Sequence, residues 1–157
     1  MTKKKRQNGK AKASDGLPWF IRTDQEVGLV WKMDPALAPD GFPESYIKRM
    51  MDVAPRELVE CLPGKEPTVF HVRTMTRDEQ MLIYGIMAEG AMNGDSSKQF
   101  VFLMNEAAKK CIKKVTLPDG TVFTKAKLDK HYGQFFGTIA AAIGSFVINE
   151  SVRDPLG

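Results

Sequence analysis

Residues 68–87 read TVFHVRTMTRDEQMLIYGIM, and the fold turns on them. Thr68, Phe70, Val72 and Thr74 alternate with Val69, His71, Arg73 and Met75. This period of two, rich in β-branched and aromatic side chains, predicts a strand over 68–75 with one greasier and one mixed face. At Thr76 the period changes. Thr76 and Glu79 have the S/T-x-x-E spacing of a capping box, in which the Thr hydroxyl accepts from the Glu79 amide and the Glu79 carboxylate accepts from the Thr76 amide. A helix is therefore predicted from Arg77, with Asp78 and Glu79 at the positive end of its dipole and Leu82, Ile83, Ile86 and Met87 as its apolar stripe. A strand passing straight into a capped helix fixes the direction of both, so this junction is expected to organise the chain.

Upstream, PGKEP at 63–67 reads as a turn and LVECL at 58–62 as a strand, giving an antiparallel hairpin of 58–62 with 68–75. Gly64-Lys65 is not a phosphate loop, because the upstream glycine is missing and Glu66 stands where Ser or Thr is required. Residues 44–52 (ESYIKRMMD) read as a short helix with Pro43 at its first position and Tyr46, Ile47, Met50 and Met51 on one side. DPALAPDGFP at 34–43 is a loop. Residues 17–23 and 27–33 form two β-prone runs, read as a hairpin. Trp19, Phe20 and Trp31 there either anchor these strands to the core or form a stacking platform for single-stranded nucleic acid.

Downstream, Ser96 and Gln99 repeat the capping-box spacing ahead of Phe100, Leu103, Met104, Ala107, Ala108, Cys111, Ile112 and Val115, the clearest amphipathic helix pattern in the chain. Lys109, Lys110, Lys113 and Lys114 then fall at its C-terminal end, where they complement the dipole or form a nucleic-acid patch. Pro118-Asp119-Gly120 predicts a tight turn with a small hairpin, and Thr124 a cap for a short helix through Lys127 and Leu128. A final helix over 134–148 places Phe135, Phe136, Ile139, Ala140, Ile143, Phe146 and Val147 on a broad apolar arc. Gly137, Ala141 and Gly144 keep parts of its surface small. Such an arc is covered either by the domain or by a partner helix. In the second case Phe135, Phe136, Ile139, Ala141, Ile143 and Phe146 line the partner groove.

A chain of 157 residues suits one domain with a core of its own. The expectation is an α+β domain over 17–157, with short N-terminal antiparallel β-hairpins and a mainly helical C-terminal half of three or four helices. Residues 1–16 hold Lys3, Lys4, Lys5, Arg6, Lys10 and Lys12 against Asp15, a net of +5, leaving −1 for the rest of the chain. With no apolar side chain larger than Ala after Met1, this basic tail is expected to be disordered and to be the element that would hold nucleic acid. Cys61 and Cys111 are too few for a zinc site and read as two buried free thiols in a reducing compartment. No membrane span or secretory signal is read, so a cytosolic protein is expected. His71 and His131, the two imidazoles, have no motif partner, and the hydrolase, zincin, redox, EF-hand and dinucleotide signatures do not occur. No enzyme and no cofactor is read.

The stretch GKEPTVFHVRTMTRDEQ resembles the F-x-[LIV]-R-x-[LM]-[ST]-x-x-E opening segment of tail assembly chaperone-like proteins of long-tailed bacteriophages. Phe70, Val72, Arg73, Met75, Thr76 and Glu79 match it, residues 100–115 match the family's second helix, Asp119-Gly120 with Phe123 its turn, and Ile148 with Ser151 its end. Tyr132-Gly133 replaces the dipeptide expected before the last helix, and the aromatic N-terminal part has no counterpart. The resemblance implies a non-enzymatic protein of the host-cell cytoplasm that binds the helical tape measure protein, keeps it soluble and aids tail tube assembly, while exposed apolar surface on the free protein would favour self-association into a homo-oligomer. A nucleic-acid-associated protein acting through the tail, and a small enzyme or structural protein, are the other two classes.

Overall fold

The computed structural model describes residues 26–92, 94, 96–131 and 137–151. The basic tail, the first arm of the expected N-terminal hairpin with Trp19 and Phe20, and Phe135 and Phe136 lie outside these residues. The fold is α+β. Its elements are β1 (Val27–Trp31), α1 (Glu44–Lys48), β2 (Val53–Pro55), a 3₁₀ turn (Arg56–Leu58), β3 (Val69–Val72), α2 (Arg77–Met92), α3 (Ser96–Cys111), β4 (Ile112–Thr116), β5 (Val122–Thr124), α4 (Lys125–Lys130) and α5 (Gly137–Ser151). All described strands join one antiparallel sheet in the order β2-β1-β3-β4-β5, with β3 in the centre.

The capping box forms as its spacing predicts. The Thr76 amide donates to Glu79 Oε1 at 2.8 Å and the Glu79 amide to Thr76 Oγ1 at 3.2 Å, and α2 starts at Arg77. The Asp119-Gly120 turn also forms: Thr121 N donates to Asp119 Oδ1, Gly120 takes a positive φ of 91°, and β4 and β5 pair as a hairpin. Thr124 occupies the N-cap of α4, but its side chain makes no capping bond.

Three expectations are corrected. Residues 58–62 do not pair with β3, whose neighbours are β1 and β4. Their backbone turns to the loop before α1 instead: Glu60 N donates to Gly41 O, Ala38 N to Glu60 O and Leu62 N to Ala36 O, each at 2.8–2.9 Å. Gly41 is required there, because a Cβ at this position would sit 2.2 Å from Glu60 O. Second, the helix predicted over 44–52 stops at Lys48, and Met50 takes φ 59°. Tyr46 and Met51 are buried by this bend while Ile47 and Met50 face solvent.

Third, the α3 helix ends at Cys111, and Ile112 to Thr116 form a strand with no linker between. Ile112 and Val115 are both buried three residues apart, a helical spacing. A bulge makes this possible in a strand: consecutive His71 and Val72 pair with Lys114 and Ile112, so Lys113 is an extra residue and the side-chain alternation is reset. Lys113 and Lys114 therefore lie on a strand and not at a helix end.

One continuous core joins Leu29, Phe70, Val72 and Val115 of the sheet to Leu103, Ala107 and Cys111 of α3 and to Ile143, Phe146 and Val147 of α5. Trp31 packs against this core, as an anchor would. The tightest approach is at Gly144, where an added Cβ would lie 1.7 Å from Met104 O. Cys61 and Cys111 are both free thiols, but only Cys111 is buried as expected while Cys61 is half-buried; burial pushes Cys111 up to about 12, so its sulfur stays protonated.

Candidate functional site

Arg73 leaves the end of β3 and gathers three elements. Its guanidinium grips both Glu79 carboxylate oxygens, at 2.9 and 3.0 Å, behind the cap of α2. It also donates to Thr74 O at 2.8 Å and to Lys110 O at 3.0 Å, one of the carbonyls left open at the C-terminal end of α3. One side chain thus supports the start of α2 and the end of α3. The hydrogen bonds from Arg73, with the Thr76 amide, hold Glu79 down at about 2.

The hairpin that Arg73 anchors presents apolar surface to solvent. In α2 the side chain of Ile83 is 2% exposed, whereas Met81 is 59% and Leu82 53% exposed, and Tyr84 and Met87 are also exposed. Phe100, Val101 and Phe102 near the start of α3 are exposed as well. The predicted stripe of Leu82, Ile83, Ile86 and Met87 is therefore only partly used by the core: Ile83 is buried and Ile86 packs against it half-covered. Gly85 leaves a gap in the surface, since nothing lies within 4 Å of an added Cβ.

Of the residues expected to line a partner groove, Phe135 and Phe136 lie outside the described residues, and Ile139, Ala141, Ile143 and Phe146 sit on α5. Ile143 is 0% and Phe146 1% exposed, both inside the contact between α5 and α3. Ile139 packs against the core half-covered, and Ala141 is half-buried. The domain itself covers the arc at Ile143 and Phe146, which have no surface to offer a partner. Sequence reasoning overlooked Tyr84, Val101 and Phe102. A signal existed: six of the seven residues from Met81 to Met87 are apolar, a wider arc than one buried stripe uses.

A polar chain crosses the sheet on the face opposite Phe70. His71 Nε2 lies 2.9 Å from Thr116 Oγ1, His71 Nδ1 3.4 Å from Glu26 Oε1, and Glu26 Oε2 3.4 Å from Lys113 Nζ. The groups stand in the order of a hydrolase relay, but the carboxylate is too distant for a strong charge-assisted bond and the chain reads as a clamp across three strands. Burial lowers the His71 pKa; Glu26 opposes this and Lys114 adds to it. Unfolded His71 titrates near its ordinary 6.5, so stability from the neutral ring is complete above that pH and lost as pH falls through the lower folded value. The urea midpoint should drop between pH 7.5 and 5, and His71→Gln should flatten this drop. An unchanged pH dependence in the variant would assign the effect to other groups.

Chain comparisons with family models, curated proteins and solved structures gave no match. The phage-family resemblance therefore stands on the residues quoted for it. Among the described residues no cluster of His, Cys, Asp and Glu suits a metal ion, and no helix is long and apolar enough to cross a membrane.

Proposed function

We propose that the protein is a non-enzymatic assembly chaperone of the long-tailed phage type, acting in the host-cell cytoplasm. It holds the helical tape measure protein, keeps it soluble and aids tail tube assembly. The supporting observation is the apolar surface of α2 and the start of α3, where Met81, Leu82, Tyr84, Phe100, Val101 and Phe102 are exposed. A long amphipathic helix has a matching stripe, and unbranched methionines adapt to the irregular stripes that successive turns present. Each contact is weak, at micromolar affinity, and several copies along one long chain sum to firm retention. The same surface supports self-association of the free protein.

Co-expression with the cognate long helical tail protein tests this reading. The tail protein should stay soluble and elute with this chain from size exclusion. Leu82→Glu with Phe102→Glu should remove the complex while circular dichroism of the variant stays unchanged, since both side chains are exposed. If the tail protein is equally soluble alone and no complex elutes, the chaperone reading is wrong.

A further inference from the structure

The charge of the chain is unevenly placed. Residues 109–131 carry seven lysines against Asp119 and Asp129, a net of +5, whereas residues 26–108 carry eight basic and thirteen acidic residues, a net of −5. Folding concentrates the positive segment at one corner of the sheet. Lys109 and Lys110 close α3, Lys113 and Lys114 lie on β4, and Lys125, Lys127 and Lys130 lie on α4, which packs against β4 and β5. Lys125 Nζ donates to Lys109 O and Ile112 O, which seats the start of α4 on the α3–β4 junction.

Little of this charge is neutralised internally. Lys113 pairs with Glu26, and Lys127 lies over the Phe123 ring at 5.5 Å from its centroid. Lys109, Lys110, Lys114 and Lys130 have no acidic partner among the described residues. The dipole of α3 accounts for Lys109 and Lys110 but not for Lys114, which stands on β4 opposite His71. Holding like charges together costs free energy that a bound polyanion offsets.

We propose that this corner binds the phosphate backbone of nucleic acid, on a surface separate from α2 and independent of the chaperone reading. Lysine is depleted in protein–protein interfaces, where arginine and aromatics dominate, so seven lysines without an arginine fit phosphate better than an acidic protein. The ammonium acts on phosphate as a point charge, and the exposed Thr121 and Thr124 hydroxyls add neutral donors of the kind that contact phosphate oxygens. Residues 109–131 contain no Arg, Asn or Gln, the side chains that read base edges in pairs, so binding is independent of sequence.

The test is fluorescence anisotropy of the full chain with labelled single-stranded and duplex oligonucleotides of about 20 units, from about 50 to 200 mM salt. The triple variant Lys109→Ala, Lys114→Ala and Lys130→Ala removes three charges that make no ion pair in the described fold. It should bind single strands about tenfold more weakly at low salt, with a log–log salt slope shallower by about 2, as three contacts at about 0.7 each require. A control triple variant, Lys48→Ala, Lys65→Ala and Arg77→Ala, should bind like the unmodified chain. Equal loss in the control would reduce the effect to net charge and overturn the assignment. Unchanged affinity and slope in the first variant would leave Lys3 to Lys12 as the whole binding element and overturn it equally. Competition by polyglutamate as strong as by unlabelled oligonucleotide would make the corner a site for acidic protein instead.

Discussion

Arg73→Leu is expected to destabilise the domain by about 3 kcal/mol at neutral pH, with the urea midpoint as the measurement. The leucine leaves the Glu79 carboxylate without its two charge-assisted bonds and the Lys110 carbonyl without its donor, although the Arg73 backbone amide still reaches Cys111 O at 3.0 Å. The side chains of Arg73 and Glu79 are each 22% exposed, so water repairs part of the loss and the effect stays at the lower end for a broken ion pair. The pH dependence identifies the cause. Glu79 titrates at about 2 in the folded chain against 4.5 in the unfolded one, so its stabilisation is complete above pH 4.5 and lost as pH falls toward 2. The difference between the two proteins should narrow over that interval. A difference that stays constant down to pH 2 would mean that Arg73 acts by packing and not through Glu79.

Gly144→Ala should cost about 3 kcal/mol, while Gly85→Ala should stabilise by up to about 1 kcal/mol. Both replace a helical glycine and gain the same backbone propensity. At Gly144 the new methyl would lie 1.7 Å from Met104 O and 2.4 Å from Met104 C, and backbone atoms cannot swing aside as a side chain end can. α3 and α5 would have to part, loosening Leu103, Ala107, Ile143 and Phe146 together. At Gly85 the methyl meets nothing within 4 Å. Thermal melts of the two variants should therefore move in opposite directions; a shared direction would contradict the helix contact described.

What the chain declares locally, it declares plainly. The Thr76–Glu79 box and the Asp119–Gly120 turn each lie within a few residues, and their hydrogen bonds form as their spacing requires. The mistakes come from pairings that no local pattern encodes. Residues 58–62 alternate no better than β1 does, and the choice of β1 as the partner of β3 depends on residues about 40 positions away. Ile112 and Val115 continue the helical spacing of α3 because the bulge at Lys113 copies it. The candidate site was half visible: α2 was recognised as apolar, but which of its faces the core would use was decided by α3 and α5 taking each other as partners.

The central place of β3 sets the order in which the protein can be completed during synthesis. β3 pairs with β1 before it in sequence and β4 after it, and the core closes only when α5 has been laid on α3. Roughly 60 residues separate the end of α2 from the end of α5, which at about 5–20 residues per second is a delay of several seconds. During that interval α2 and α3 are already made while the α3–α5 contact that completes the core is still missing.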